Sequence, residues 1–394
     1  DWSSDVCSSD LDVKMLVKYG VHVTCRVFDT MLAHYLINPD GKHGMDELSK
    51  SYLNYAPISI EQLIGKKGAK QGSMADLKPD EITDYAAEDA DITLQLMHQF
   101  EPLLQNGRLQ EVYDNIEMPL VEVLAEMETT GVCIDEPFLN AYSETLQQEI
   151  QQLETEICEL AEEKFNVDSP KQLGVILFEK MKITKDVKKT KTGQYITDEA
   201  TLAKFEHLHP IISKVLDFRE LRKLKSTYVD ALPDMVLPES KRVHTNYMQT
   251  VAATGRLSSN NPNLQNIPIR TPRGKEIRKA FIPSSPNHVI LSADYSQVEL
   301  RIIASLSGDV NMCEAFAQGD DIHKATAAKV FGVPIQEVTK EMRSKAKAGN
   351  FGIIYGQGAF GLAQNLGISR GEAKEIIESY FTQFASLKNY QQQT

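Results

Sequence analysis

The sequence predicts a multidomain protein in which mixed α/β, all-helical, α+β and again all-helical stretches follow one another. Three observations carry that expectation. The 394 residues suffice for two or three domains, each with its own core. Long stretches place apolar residues at helical spacing, and near residue 240 that pattern yields to β-branched and aromatic residues interleaved with polar ones. Hydrophobic residues make up 42% and charged residues 25%, the balance of a folded globular chain.

The opening DWSSDVCSSDL has neither the basic nor the apolar region of a signal peptide. Its Ser/Asp-rich composition fits nothing downstream, so residues 1–11 are set aside as an artefactual lead. Residues 12–100 mix short apolar segments with helical ones, among them Ile82, Tyr85, Ala86 and Asp89 at helical spacing. Residues 108–130 read as a helix closed by Gly131. Leu146, Ile150, Leu153, Ile157 and Leu160 then mark a long amphipathic helix, to which packing rather than chemistry is assigned. Asp168 or Ser169 offers an N-cap with Pro170 at the first helical position. A further helix through 209–232 is stopped by Pro233. Beyond 240 comes a Gly/Ser/Asn/Pro-rich loop through Pro268. A short buried strand is expected at His288–Ala293, then a helix with Val298, Ile302, Ile303 and Leu306 inward, closed by Gly308. Residues 309–394 are helical.

No run of about 18 apolar residues occurs, so no membrane-spanning helix is expected. Cys7, Cys25, Cys133, Cys158 and Cys313 are scattered and odd in number, without a C-x-x-C pair, which points away from disulfides and thiolate zinc and toward a reducing cytoplasm. The net charge of −13 conceals local basic segments: KVLDFRELRKLK (214–225) carries five basic residues against two acidic, and RTPRGKEIRK (270–279) five against one. On charge alone, solvated helix faces explain these better than phosphate contacts do.

Asp294 follows the expected strand, where a carboxylate on a rigid support could hold a hard cation or cap the next helix. In RSKAKAGNFGIIYG, Arg343, Lys347, Phe351 and Tyr355 recur every four residues. Each such step drifts about 40° and rises about 6 Å, so the four form one stripe about 18 Å long. That layout matches a nucleoside triphosphate: cations for the anionic tail, aromatic faces for sugar and base. On spacing alone, an amphipathic helix with two surface cations and two core aromatics is the favoured reading.

ADYSQVELR (293–301) resembles, almost letter for letter, a palm motif of family A DNA polymerases, the bacterial DNA polymerase I type. The resemblance extends through TGRLSSNNPNLQNIPIR, DIHKATAAKVFG, RSKAKAGNFGIIYG, KLKSTYVDALP, FNVDSPKQL and YAAEDAD, and so covers nearly everything after the lead. It implies a partial ribonuclease H-like 3′–5′ exonuclease domain (12–107), then a right-hand polymerase domain: helical thumb (108–236), the first part of a palm (237–305) and partial helical fingers (306–394). It implies two Mg²⁺ ions (with Mn²⁺ as substitute) on Asp294, the backbone carbonyl of Tyr295 also ligating, and chemistry of the two-metal kind. Glu299 would be a steric gate against ribose. Arg343, Lys347, Phe351 and Tyr355 would bind dNTP, Lys347 also donating a proton to pyrophosphate, and His323 would be a further phosphate contact. Arg219, Lys223 and Lys225 would grip backbone phosphate, while Arg256, Asn263, Gln265 and Gln297 would reach the minor groove of primer-template DNA. Asp29 and Asp89 would be exonuclease metal ligands, with Tyr85 orienting water. Gly349 departs from the family pattern, where a larger residue is usual.

The exonuclease Asp-x-Glu pair and the polymerase His-Asp-Glu motif are absent from the 394 residues. This chain by itself is therefore expected to be inactive, while its family polymerises DNA in replication and repair, as a cytoplasmic, nucleoid-associated monomer. Two alternatives stand beside that reading: a non-catalytic primer-template binding module, and a single-subunit RNA polymerase, which Glu299 and the Phe351/Tyr355 pair oppose.

Overall fold

The computed structural model describes residues 9–21, 23–24, 26–68, 70–269 and 271–394. Residues 1–8 of the expected lead, Cys7, Cys25 and Arg270 lie outside the described residues. The chain divides into two compact units, one ending at Ile290 and the other running from Leu291 to Thr394.

The first unit begins with α1 (Ser9–Lys18), which starts inside the stretch set aside as a lead and packs on α7. Short helices α2 (Thr30–Ile37), α3 (Met45–Leu48) and α4 (Ile60–Ile64) precede α5 (Pro79–Leu104). Helix α5 buries Ile92, Leu96, Phe100 and Leu104, one face at intervals of four, against Leu32, Ala33, Leu48, Tyr113 and Val121. Then α6 (Leu109–Val112), a π-helical turn and α7 (Met118–Thr130) follow, ended by Gly131 at a φ of +63°.

A second core of this unit lies between α8 (Glu136–Leu160) and α11 (Pro210–Leu224). Leu139, Leu146, Ile150 and Ile157 of α8 meet Ile211, Ile212, Val215, Phe218, Leu221 and Leu224 of α11. Fully burying one such side chain stabilises by roughly 1.5–3 kcal/mol, so this contact dominates the segment. The Asp135 side chain caps α8 by accepting from Phe138 N–H, and Ser169 caps α9 (Pro170–Val175) by accepting from Gln172 N–H. Short α10 (Glu199–Ala203) and α12 (Ala231–Asp234) flank α11, and α12 contains Pro233, ending one residue beyond it.

Strand content is lower than the α/β and α+β reading anticipates. Three antiparallel two-stranded ladders form: β1 (Cys133–Ile134) with β6 (Phe281–Ile282), β2 (Val236–Leu237) with β3 (Arg242–Val243), and β4 (Asn246–Met248) with β5 (Ser258–Asn260). Helix α13 (Pro272–Arg278), capped by Thr271, precedes β6. The buried strand expected at His288–Ala293 is absent: these residues are irregular, with Val289 86% and Leu291 87% exposed. A strand needs a hydrogen-bonding neighbour, and none pairs with this run among the described residues.

The second unit is a helical cluster of α14 (Val298–Ser307), α15 (Val310–Ala317), α16 (Ile322–Phe331), α17 (Lys340–Ile354), α18 (Ala359–Leu366), α19 (Arg370–Gln383) and α20 (Ala385–Gln393). Its core joins Leu300, Ala304, Met312, Ile322, Ile353, Leu362, Leu366, Tyr380, Phe384 and Leu387. Helix α14 turns a different face inward than expected. Leu300 and Ala304 are buried and Ile303 partly so, whereas Val298, Ile302 and Leu306 are exposed. VELRIIASLS is apolar on two sides, so its period leaves the choice open, and packing against α15 and α20 makes it.

Candidate functional site

Helix α17 carries the stripe predicted for it. Thr339 caps its start by accepting from Met342 N–H, Arg343, Lys347 and Phe351 follow, and Tyr355 is the residue at its C-cap. The helix packs against α16, whose cap, Asp321, faces Arg343. Arg343 Nε donates to Asp321 Oδ2 at 2.6 Å, while Asp321 Oδ1 accepts from Lys324 N–H at 3.1 Å. Burial alone would raise the Asp321 carboxyl; the bonds from Arg343 and Lys324 outweigh it and hold that carboxyl below the usual range. The arrangement uses only the Nε of Arg343 in this pairing, and an arginine fork has further donors at its end.

Two residues beyond Asp321, the His323 side chain is buried against α17. Its Nδ1 lies 3.0 Å from Asn350 Nδ2, and its ring meets that of Phe351 edge-on at 5.4 Å. Burial, then the positive charge of Arg343, drives the imidazole pKa down to about 4, with Asp321 opposing and Lys347 adding to the fall. Lys347 is exposed, its Nζ 5.7 Å from the centre of the Phe351 ring.

Helix α14 enters the same cluster from its N-terminal end. Gln297 precedes it in the left-handed region at a φ of +53°, and its Oε1 accepts the N–H of Ile322 at 3.1 Å. Just inside the helix, Glu299 Oε2 accepts from Tyr355 Oη at 3.2 Å. The second unit thus gathers Gln297, Glu299, His323, Arg343, Lys347, Phe351 and Tyr355 through direct contacts between α14, α16 and α17. Asp294 and Tyr295 stand three and two residues before Gln297, both exposed on irregular backbone. Among the described residues, no group of three or more His, Cys, Asp or Glu is placed to hold a metal ion.

Asp321 and Asn350 escape the sequence reading. Asp321 carries the signal of a helix cap, an acid just before an apolar-periodic run. Asn350 falls on the buried face with Ala346, Gly349 and Ile353, where a polar residue needs a partner. Gly349 admits α18: a Cβ there would lie 3.3 Å from Leu362 Cδ1 and 3.4 Å from Leu366 Cδ2. A Cβ at Gly352 would collide with the side chain of Gln357.

The expected DNA contacts other than Gln297 lie in the first unit. Arg219 does not present a free fork: its Nη atoms bond the carbonyl and hydroxyl of Thr197, and burial lowers its pKa. Lys225 is paired with Asp230 at 2.7 Å. Lys223 is exposed on α11. Asn263 Oδ1 holds the following turn by accepting from the N–H groups of Gln265 and Asn266, and Gln265 Oε1 accepts from Ser259 N–H at 3.1 Å. Those oxygens shape the loop, and the amide NH₂ groups are what remain for a ligand. Arg256 is exposed on the preceding loop, between β4 and β5, which Tyr35 ties to α2 through Ala252 O and Gly255 N–H.

Of the residues expected for an exonuclease site, Tyr85 bonds Asp89, one turn along α5. Burial, with Asp46 and Glu88 nearby, pushes the Asp89 carboxyl up to about 6, the Tyr85 bond opposing. Asp29, the other residue expected as a ligand, stands at the start of α2. It is buried, caps α2 by accepting from Leu32 N–H at 2.9 Å, and its backbone N–H donates to Tyr113 Oη at 2.7 Å.

Comparison with known proteins bears on this arrangement. The sequence profile of DNA polymerase family A matches residues 136–394, and that of a 3'-5' exonuclease matches residues 7–105. The chain is 47% identical over 386 residues to DNA polymerase I of Rhizobium leguminosarum, covering 96% of this chain and 37% of that protein. It is 44% identical over 389 residues to DNA polymerase I of Pseudomonas aeruginosa, covering 97% of this chain and 42% of that protein. It therefore spans about two fifths of these curated relatives. Among solved structures, the POL domain of Pol1 from M. smegmatis, in complex with DNA primer-template and dNTP, aligns with a TM-score of 0.80 at 36% identity. That match covers 97% of this chain and 63% of the other.

Proposed function

The chain belongs to DNA polymerase family A, and on that premise we propose that its second unit carries the deoxynucleoside triphosphate site of a DNA polymerase I-type enzyme. The observation that supports this most is the meeting of α14, α16 and α17, where Tyr355 reaches Glu299 and Ile322 N–H reaches Gln297. A stripe whose ends are cationic and aromatic thereby adjoins the helix that follows Asp294. Arg343 and Lys347 bind phosphates, Phe351 and Tyr355 pack on sugar and base, and Glu299 crowds a ribose hydroxyl.

Primer-template DNA is the proposed macromolecular partner. Lys223, Arg256 and the amide groups of Asn263 and Gln265 are its contacts in this reading, whereas Arg219 supports the fold through Thr197. We assign 12–107 to a 3′–5′ exonuclease segment with Asp29, Tyr85 and Asp89, 108–236 to a thumb, 237–305 to a palm and 306–394 to fingers. Mg²⁺ is the proposed cofactor, held in part by Asp294, and would supply the charge that activates a primer hydroxyl. One exposed carboxylate does not fix two ions, so the 394-residue chain alone is expected not to extend a primer. The scattered thiols Cys133, Cys158 and Cys313 are free, and no helix among the described residues is long and apolar enough to cross a membrane. The proposed setting is a bacterial cytoplasm and the proposed state a monomer.

The test is titration of the chain with Mg·dTTP, followed by fluorescence. Saturable binding that Lys347→Ala and Arg343→Ala both weaken is expected. Binding indifferent to both substitutions, or primer extension by this chain alone, would overturn the corresponding part of the proposal.

A further inference from the structure

Two neighbouring side chains of the second unit each hold a buried polar atom without a hydrogen-bond partner: Nε2 of His323 and Oδ1 of Asn350. His323 is 1% exposed and Asn350 fully buried. Their one mutual contact, Asn350 Nδ2 to His323 Nδ1 at 3.0 Å, has a chemical direction. An amide nitrogen donates and does not accept, so with Nδ2 turned to the ring Nδ1 offers its lone pair. Burial and the adjacent Arg343 and Lys347 keep the ring neutral, with Asp321 the opposing charge. A neutral imidazole carries one N–H, which here falls on Nε2. The edge-on Phe351 ring restrains the imidazole from turning. A buried N–H without an acceptor is rare in folded proteins, and an anionic oxygen is the acceptor its cationic surroundings favour.

We infer that Asn350 is a positioning residue that holds His323 in its Nε2-protonated tautomer, so that Nε2–H is offered to a phosphate oxygen of a nucleoside triphosphate. The inference rests on the nucleotide reading of α17 given above. Arg343 and Lys347 then supply charge, whereas His323 supplies a directional neutral donor. Without Asn350 the two neutral tautomers would compete, and one of them turns a lone pair toward the phosphate.

The experiment is nitrogen-15 NMR of the 394-residue chain with labelled histidine, the His323 signals being assigned by their loss in His323→Gln. At pH 7 the expected spectrum shows a neutral ring, protonated at Nε2 and bare at Nδ1. Asn350→Asp should move the proton to Nδ1 and raise the titration midpoint by at least about one pH unit, because a carboxylate accepts where the amide donates. Asn350→Ala and His323→Gln should each weaken Mg·dTTP binding about tenfold, the loss of one hydrogen bond to a charged group. The double variant should be no weaker than either single one. An Nδ1-protonated or cationic ring in the unsubstituted chain overturns the inference, and so do additive losses in the double variant. Weakened binding in Arg343→Ala but not in His323→Gln overturns this inference and spares the nucleotide reading; weakening in neither overturns both.

Discussion

Replacing Arg343 by alanine separates two roles of one side chain. In the free protein its bond to Asp321 spans 2.6 Å, with the two side chains 38% and 31% exposed. Ion pairs so open to solvent stabilise by roughly 0–1 kcal/mol, so the thermal midpoint should move little. A triphosphate would lose a charge-assisted contact, about 1.5–3 kcal/mol, which weakens binding about 10- to 100-fold. The bare Asp321 carboxylate would then repel phosphate further, and Arg343→Ala/Asp321→Asn should recover part of the loss. The pH dependence has a definite sign. Asp321 is held below its ordinary value, so its contribution to stability is present above the unfolded pKa and vanishes as pH falls through the folded one. The substituted and parent chains should therefore converge in stability in acid. Differential scanning calorimetry and Mg·dTTP titration on the same samples give both quantities. A dTTP affinity within about threefold of the parent, with the melt unchanged, would refute phosphate binding by α17.

Leu146→Ala, which empties a fully buried site between α8 and α11, should cost about 3 kcal/mol in urea unfolding. Ser169→Ala removes the cap of α9 and should cost about 1 kcal/mol in the same assay. His34, buried beside His43 at 2.8 Å, has its pKa lowered to about 4 by burial and then by His43. An unfolded histidine protonates near 6.5, so stability should be full above that value and decline as pH drops toward 4. The slope is roughly 1.4 kcal/mol per unit, and His34→Gln should flatten it in melts recorded across that window.

Local signals in the sequence survive into the structure where one element decides the outcome. The Leu146–Ile157 stripe, the Ser169–Pro170 helix start and the four-residue spacing of α17 depend on chain geometry alone, and each stands where its residues place it. What depends on distant partners was not legible. Arg219 looks like a surface cation until Thr197, 22 residues earlier, takes its fork. The inward face of α14 is settled by α15 and α20, and the apolar run at 288–293 presumes a pairing strand that no described residue provides. Around α17 the cations and aromatics were legible by type and spacing, whereas Asp321 and Asn350 act across a helix–helix contact that no periodicity encodes.

The uncovered Val289–Leu291 segment has a practical corollary. Unpaired backbone flanked by bare aliphatic groups is a template for annealing between molecules. Concentrated solutions of this polypeptide should therefore gel or precipitate through that stretch, and a lysine at Val289 should keep them clear.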